Sequence, residues 1–86
     1  MSQPAPPPLP DALSRAFGAA IRQRRTELDL SQERLAAGAG LHRTYIAEVE
    51  RGTRNIALRN VARLAAALDL TLVELFTRVE RLFPPA

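Results

Sequence analysis

Arg43, Thr44, Ala47 and Glu48 stand at offsets that place them on one side of a single helix, and together they form a hydrogen-bonding set for which a small core has no use. An arginine fork presents two parallel donors that match the paired acceptors of guanine in a major groove. Threonine adds a methyl for thymine and a hydroxyl for a base or phosphate, and alanine leaves room for close approach. Glutamate accepts from a cytosine amine or holds Arg43 in place, directly or through a bound base pair. Each residue also has an ordinary reading. Arg43 is then a solvated arginine in a first helical turn, where a positive charge suits the helix dipole poorly. Glu48 then pairs with Arg51 one turn on, a surface interaction of a few tenths of a kcal/mol. His42 reads as a cap or a phosphate neighbour, because no motif places a second ligand or a nucleophile beside it.

Such a surface needs a scaffold, and the apolar spacing supplies one made of helices. Helix 3 is predicted to start at His42 or the turn before it and to run to about Arg51, with Ile46 and Val49 inward and Gly52 ending it. Helix 2 follows a Ser31 cap, buries Leu35 and Ala36 and stops near Gly38, leaving Ala39, Gly40 and Leu41 as the turn. Helix 1, over about 12–28, carries a stripe of Leu13, Phe17, Ala20, Ile21, Arg24 and Leu28 after an Asp11 cap. Gly18 inside it marks a close approach of another helix, and Asp29 stands where a left-handed glycine often ends one.

Beyond a loop from Thr53 to Ala57, helix 4 at about 58–68 is expected to bury Leu58, Val61, Leu64, Ala65 and Leu68. Thr71 and Glu74 fit a capping box that opens helix 5, which must end before Pro84. Leu72, Leu75, Phe76, Val79, Leu82 and Phe83 are more apolar surface than one small core covers. Phe76, Val79, Leu82 and Phe83 are therefore expected at an interface with a second copy; the competing expectation is that Phe83 folds back on its own domain.

Composition bounds the rest. At 86 residues, with 47% hydrophobic and 24% charged residues and four glycines, the chain suits one small helical domain. All 12 basic residues are arginines and the net charge is +3, which permits a polyanion partner without requiring one. With zero cysteines, disulfides, thiolate metal sites and cysteine nucleophiles are excluded. No apolar run approaches the roughly 20 residues that span a bilayer, and a signal-peptide pattern is missing, so a cytoplasmic protein is expected. Pro4, Pro6, Pro7, Pro8 and Pro10 make residues 1–10 a mobile extended arm, read as a loose extension in preference to a ligand for an aromatic groove; residues 84–86 form a short tail.

Leu30-Ser31-Gln32-Glu33, Leu35-Ala36, Gly40, Ile46 and Glu50-Arg51-Gly52 together resemble the helix-turn-helix pattern of the Cro-type (XRE) regulators, over about residues 14–76. The Arg43 to Ile46 stretch and the Arg51 to Asn55 loop look most like the restriction-modification controller proteins. The resemblance implies an all-α, five-helix, lambda-repressor-like domain over 11–83, with helix 3 in the major groove, helix 2 across the backbone and a C-terminal dimerisation helix at about 72–83. Arg43, Thr44, Ala47 and Glu48 then fall at base-facing sites. Gln32, Tyr45, Arg51, Arg54, Asn55 and Arg59 fall at or near phosphate-approaching sites. Arg25 and Glu50 match an internal salt bridge between helices 1 and 3. Asp29 in place of a glycine and Ala57 in place of a Ser or Thr cap depart from the pattern, at a cost in local stability of about 1 kcal/mol for the missing cap.

The expected function is that of a dimeric, sequence-specific regulator of transcription on double-stranded DNA, repressing or activating through an approximate inverted repeat. The competing class is an antitoxin or protein-interaction module with secondary DNA binding. An enzyme is the weakest reading, since neither a paired acid-base site nor a nucleophile constellation is present. No metal, cofactor or membrane partner is expected. A small-molecule effector is not expected either, because no residues remain for a separate sensing domain.

Overall fold

The computed structural model describes residues 9–83, with side chains from 11 onward, so the expected arm up to Pro8 and the tail at 84–86 lie outside the described residues. Five helices follow one another: α1 (Leu9–Glu27), α2 (Gln32–Ala39), α3 (Arg43–Arg51), α4 (Leu58–Ala67) and α5 (Leu72–Leu82). α1 begins earlier than expected, and Pro10 falls in its first turn, where a missing amide donor costs nothing. Asp11 is therefore a first-turn acid facing the helix dipole and not the cap.

Every helix sends side chains to one core, in which Ile21, Leu35, Ile46, Leu64, Leu68, Leu75 and Val79 are fully buried. α1 packs on α3 and α5, while α2 packs on α3 and α4. The α1–α3 contact is close because Gly18 has no side chain: a Cβ there would meet the Val49 carbonyl and lie 2.8 Å from that of Glu50. Polar ties join α1 to the C-terminal half of the chain. Arg24 Nε donates to the Leu68 carbonyl at 3.0 Å, and the Arg78 fork donates to both Glu27 oxygens at 2.8 Å each. The Arg78 bonds, assisted by Arg24, hold the Glu27 carboxyl down at about 2.

Two of the links between helices have the same construction. Leu28-Asp29-Leu30-Ser31 and Leu68-Asp69-Leu70-Thr71 each put the aspartate in the left-handed region, at φ 56° and 55°. In each, the following leucine amide returns to a carbonyl five residues back, Leu30 to Arg25 at 3.0 Å and Leu70 to Ala65 at 2.9 Å. The Ser or Thr then caps the next helix, and on α5 Thr71 and Glu74 form the complete capping box. Only Asp29 was singled out by its sequence; Asp69 takes the same conformation.

Three apolar expectations are corrected. Leu58 is 78% exposed, because it opens α4 and its first-turn direction leads away from the core. Val79 is buried within its own domain at 1% exposure and presents no free face to a second copy, while Phe83, partly buried, folds back on the same core. The outward apolar face of α5 is Leu72, Val73 and Phe76, one helical side apart from the inward Leu75 and Val79. Phe76 tilts against Phe17 at a centroid distance of 6.1 Å, and with Leu13 and Ile56 it lines a surface cleft of about 200 Å³. Leu82, 40% exposed, keeps an outward face and lines a shallow surface cleft with Ala12 and Ala19 of α1.

Candidate nucleic-acid interface

Both α2 and α3 are fixed at each end by caps. Ser31 Oγ accepts from the Arg34 amide at 3.0 Å, and Gly40 closes α2 in the left-handed conformation at φ 69°, returning its amide to Ala36 and Ala37. His42 Nδ1 accepts from the Thr44 amide at 3.1 Å, so His42 is the N-cap of α3. Gly52, at φ 75°, closes α3 and sits so near α1 that a Cβ would lie 2.8 Å from the Arg15 Cα. No larger residue fits that corner without moving α1.

Between these caps α3 divides cleanly. Ile46 and Val49 are buried, and the Glu50 side chain is 5% exposed. Arg25 Nε and Nη2 donate to the two Glu50 oxygens at 2.6 and 2.9 Å, and Arg25 Nη1 donates to the Leu30 carbonyl at 2.8 Å. The Glu50 bonds hold the Arg25 guanidinium above its ordinary range. Gln32 Nε2 adds a third donor to Glu50 at 3.0 Å, so the half-buried Gln32 leans on the same carboxylate from the start of α2. This part-buried anchor ties α1, α2 and α3 together.

The opposite side of α3 holds Arg43, Thr44, Ala47, Glu48 and Arg51, with Arg43, Thr44 and Arg51 exposed and Ala47 and Glu48 half-buried. Arg43 approaches Glu33 of α2 at 3.9 Å with both side chains well solvated, which leaves its fork available. Glu48 pairs with neither Arg43 nor Arg51; its partner is Arg54, at 3.2 Å, on the loop after α3. Arg54 also lies over the Tyr45 ring, 4.8 Å from its centroid, and the Tyr45 hydroxyl accepts from Asn60 Nδ2 at 3.1 Å. Asn55 and Arg59 are exposed on the loop and the first turn of α4. Asn60 escaped the sequence reading. The half-buried Tyr45 hydroxyl, which needs a partner, was the signal for it.

A short helix fixed to its scaffold by one apolar face and a part-buried ion pair, with arginine, threonine and small side chains outward, and a second helix capped across its N-terminus, is a helix-turn-helix unit. A helix-turn-helix family model matches residues 21–75. Control protein C.MunI of a Mycoplasma species is 44% identical over 66 residues, which are 76% of this chain and 89% of that protein. The crystal structure of the restriction-modification controller protein C.AhdI from Aeromonas hydrophila is 49% identical and superposes with a TM-score of 0.71, covering 73% of this chain and 96% of that one. The restriction-modification controller protein C.Esp1396I, solved as a tetramer in complex with its natural 35 base-pair operator, is 28% identical with a TM-score of 0.78, covering 83% and 93% of the two chains. The chain belongs to the helix-turn-helix family, among the restriction-modification controller proteins.

Proposed function

We propose that the protein regulates transcription by binding an operator as a dimer, each copy laying α3 in a major groove. The observation that carries this reading is the division of α3 between an anchored inner face and an outer face of donor-rich and small side chains. Arg43, Thr44, Ala47 and Glu48 meet base edges. Gln32 at the start of α2, Tyr45, Arg51, Arg54, Asn55 and Arg59 approach the flanking phosphates. Phosphate contacts position the domain and base contacts select the sequence. The second copy is held through the outward apolar face of α5, Val73 and Phe76 foremost, together with Leu13 of α1. Two copies place their reading helices about 34 Å apart, so the operator is an approximate inverted repeat with half-site centres separated by about one turn of DNA.

A similar controller protein has been solved on its operator as a tetramer, which supports the same mode of action here. Among the described residues no group of His, Cys, Asp or Glu could hold a metal ion, and no helix is long and apolar enough to cross a membrane. The reading is tested by selecting duplexes from a randomised pool and titrating the selected and scrambled duplexes at increasing salt. Selected duplexes should carry an inverted repeat and bind at least a hundredfold tighter than the scrambled sequence, with affinity falling steeply as salt rises. Equal affinity for both duplexes, or no salt dependence, excludes the operator reading.

A further inference from the structure

The Arg54 guanidinium is engaged on two sides. Nη1 lies 3.2 Å from Glu48 Oε1, and Cζ stands 4.8 Å from the centre of the Tyr45 ring, which Asn60 holds by its hydroxyl at 3.1 Å. The loop arginine is thus matched, in the free protein, by a carboxylate on the outward side of α3. Both partners keep contact with solvent, at 47% and 31% exposure, so the pair is open to a competing anion. A phosphodiester is such an anion: it presents paired oxygens and negative charge to a guanidinium fork, as a carboxylate does.

We propose that Glu48 is an internal stand-in for a DNA phosphate, and that it sets specificity by withholding Arg54 from duplexes that do not match. Binding to an arbitrary duplex is made almost wholly of phosphate contacts. Arg54 can join them only by leaving Glu48, whose carboxylate is then stranded beside base-edge acceptors and the phosphate backbone. On a matching sequence the released carboxylate accepts from a base amine, so the opened ion pair is replaced. The cost of opening therefore falls mainly on non-specific binding. Glu48 is the specificity-determining group, and Arg54 the residue through which it acts. The inference rests on the DNA-binding reading above.

The test compares wild type, Glu48→Gln, Glu48→Ser, Arg54→Ala and the Glu48→Gln/Arg54→Ala double variant, all checked for folding by thermal melting, on selected and scrambled duplexes by fluorescence anisotropy across a salt series. Removing the carboxylate, by either substitution, is expected to tighten scrambled-duplex binding about tenfold and to steepen its log-log salt dependence by about 0.9, the increment for one added phosphate contact. The ratio of selected to scrambled affinity should therefore fall about tenfold or more, and Arg54→Ala should abolish the gain on the scrambled duplex. Scrambled-duplex affinity unchanged in both Glu48 variants overturns the proposal, as does a gain that persists without Arg54. Loss of selected-duplex affinity alone would make Glu48 a plain base reader. Failure of the DNA reading itself is separable, because it appears in the wild type as equal affinity for both duplexes before any substitution.

Discussion

Glu50 and Arg43 lie on the same helix and do different work: one carboxylate accepts from three donors, and one guanidinium stands in water. Removing Glu50 leaves the 15%-exposed Arg25 without its partner, and stranding such a part-buried charge costs less than the roughly 3 to 5 kcal/mol of a fully buried one, on the order of 2 kcal/mol. Glu50→Ala should therefore lower stability strongly in denaturant unfolding, whereas Arg43→Ala should change it by less than about 0.5 kcal/mol. On the selected duplex the Arg43 substitution should instead cost about 1 to 3 kcal/mol of discrimination, read from the ratio of selected to scrambled affinity. Melting curves in the opposite order would reverse the two roles. One contribution to acid stability lies elsewhere. Glu27, held at about 2 by Arg78 and then Arg24, has a folded pKa below its ordinary 4.5, so its contribution is present above about pH 4.5 and is lost as pH falls toward 2. Over that window the wild type should lose more stability than Glu27→Gln, by urea unfolding at successive pH values. The outward residues of α3 were legible from spacing alone, and the Arg25–Glu50 pair from the family pattern. The partner of Glu48 was not, because Arg54 reaches it only through the conformation of a loop that local spacing does not determine.

At the scale of elements, the twin corners at Asp29 and Asp69 hold a residue with a side chain where glycine is more at ease, at about 1 to 2 kcal/mol each for an ordinary L-residue. Part of that gain is offset by the greater freedom of glycine in the unfolded chain. Asp29→Gly and Asp69→Gly should each stabilise by about 0.5 kcal/mol. Ala57, the N-cap of α4, makes no side-chain bond, so Ala57→Ser should add about 1 kcal/mol. Differential scanning calorimetry should register the serine cap as a rise of about 4 to 8 °C in Tm, and an unchanged Tm would mean that the cap site is already satisfied by water. Helix order, caps and the α5 capping box could be read in advance because Ser31, Gly52, Thr71 and Glu74 act on their immediate neighbours. The start of α1 could not, since Pro10 is as compatible with a first helical turn as with an extended arm.

For the whole molecule, the question is which apolar surface faces a second copy. The apolar residues of α5 cover about half of its circumference, more than its own core takes up, and the pattern alone does not say which part meets that core and which a partner. That ambiguity is why Val79 and Phe83 were expected at an interface while Val73, 76% exposed, was passed over. Val73→Asp should weaken self-association at least tenfold by sedimentation equilibrium and leave the melting of the isolated copy little changed. Leu75→Ala, in the core, should cost about 2 to 5 kcal/mol of stability. A Val73→Asp variant that still associates as tightly as wild type would move the interface to another face.

The inner side of α3 is locked by Gly18, Gly52 and the Arg25–Glu50 pair, and none of those contacts involves Arg43, Thr44 or Ala47. The outward positions are therefore an exchangeable cartridge. On the proposed operator reading, new operators can be acquired by altering Arg43, Thr44 and Ala47 in succession, each intermediate still folding, so divergence of recognition need not wait for compensating changes in the scaffold.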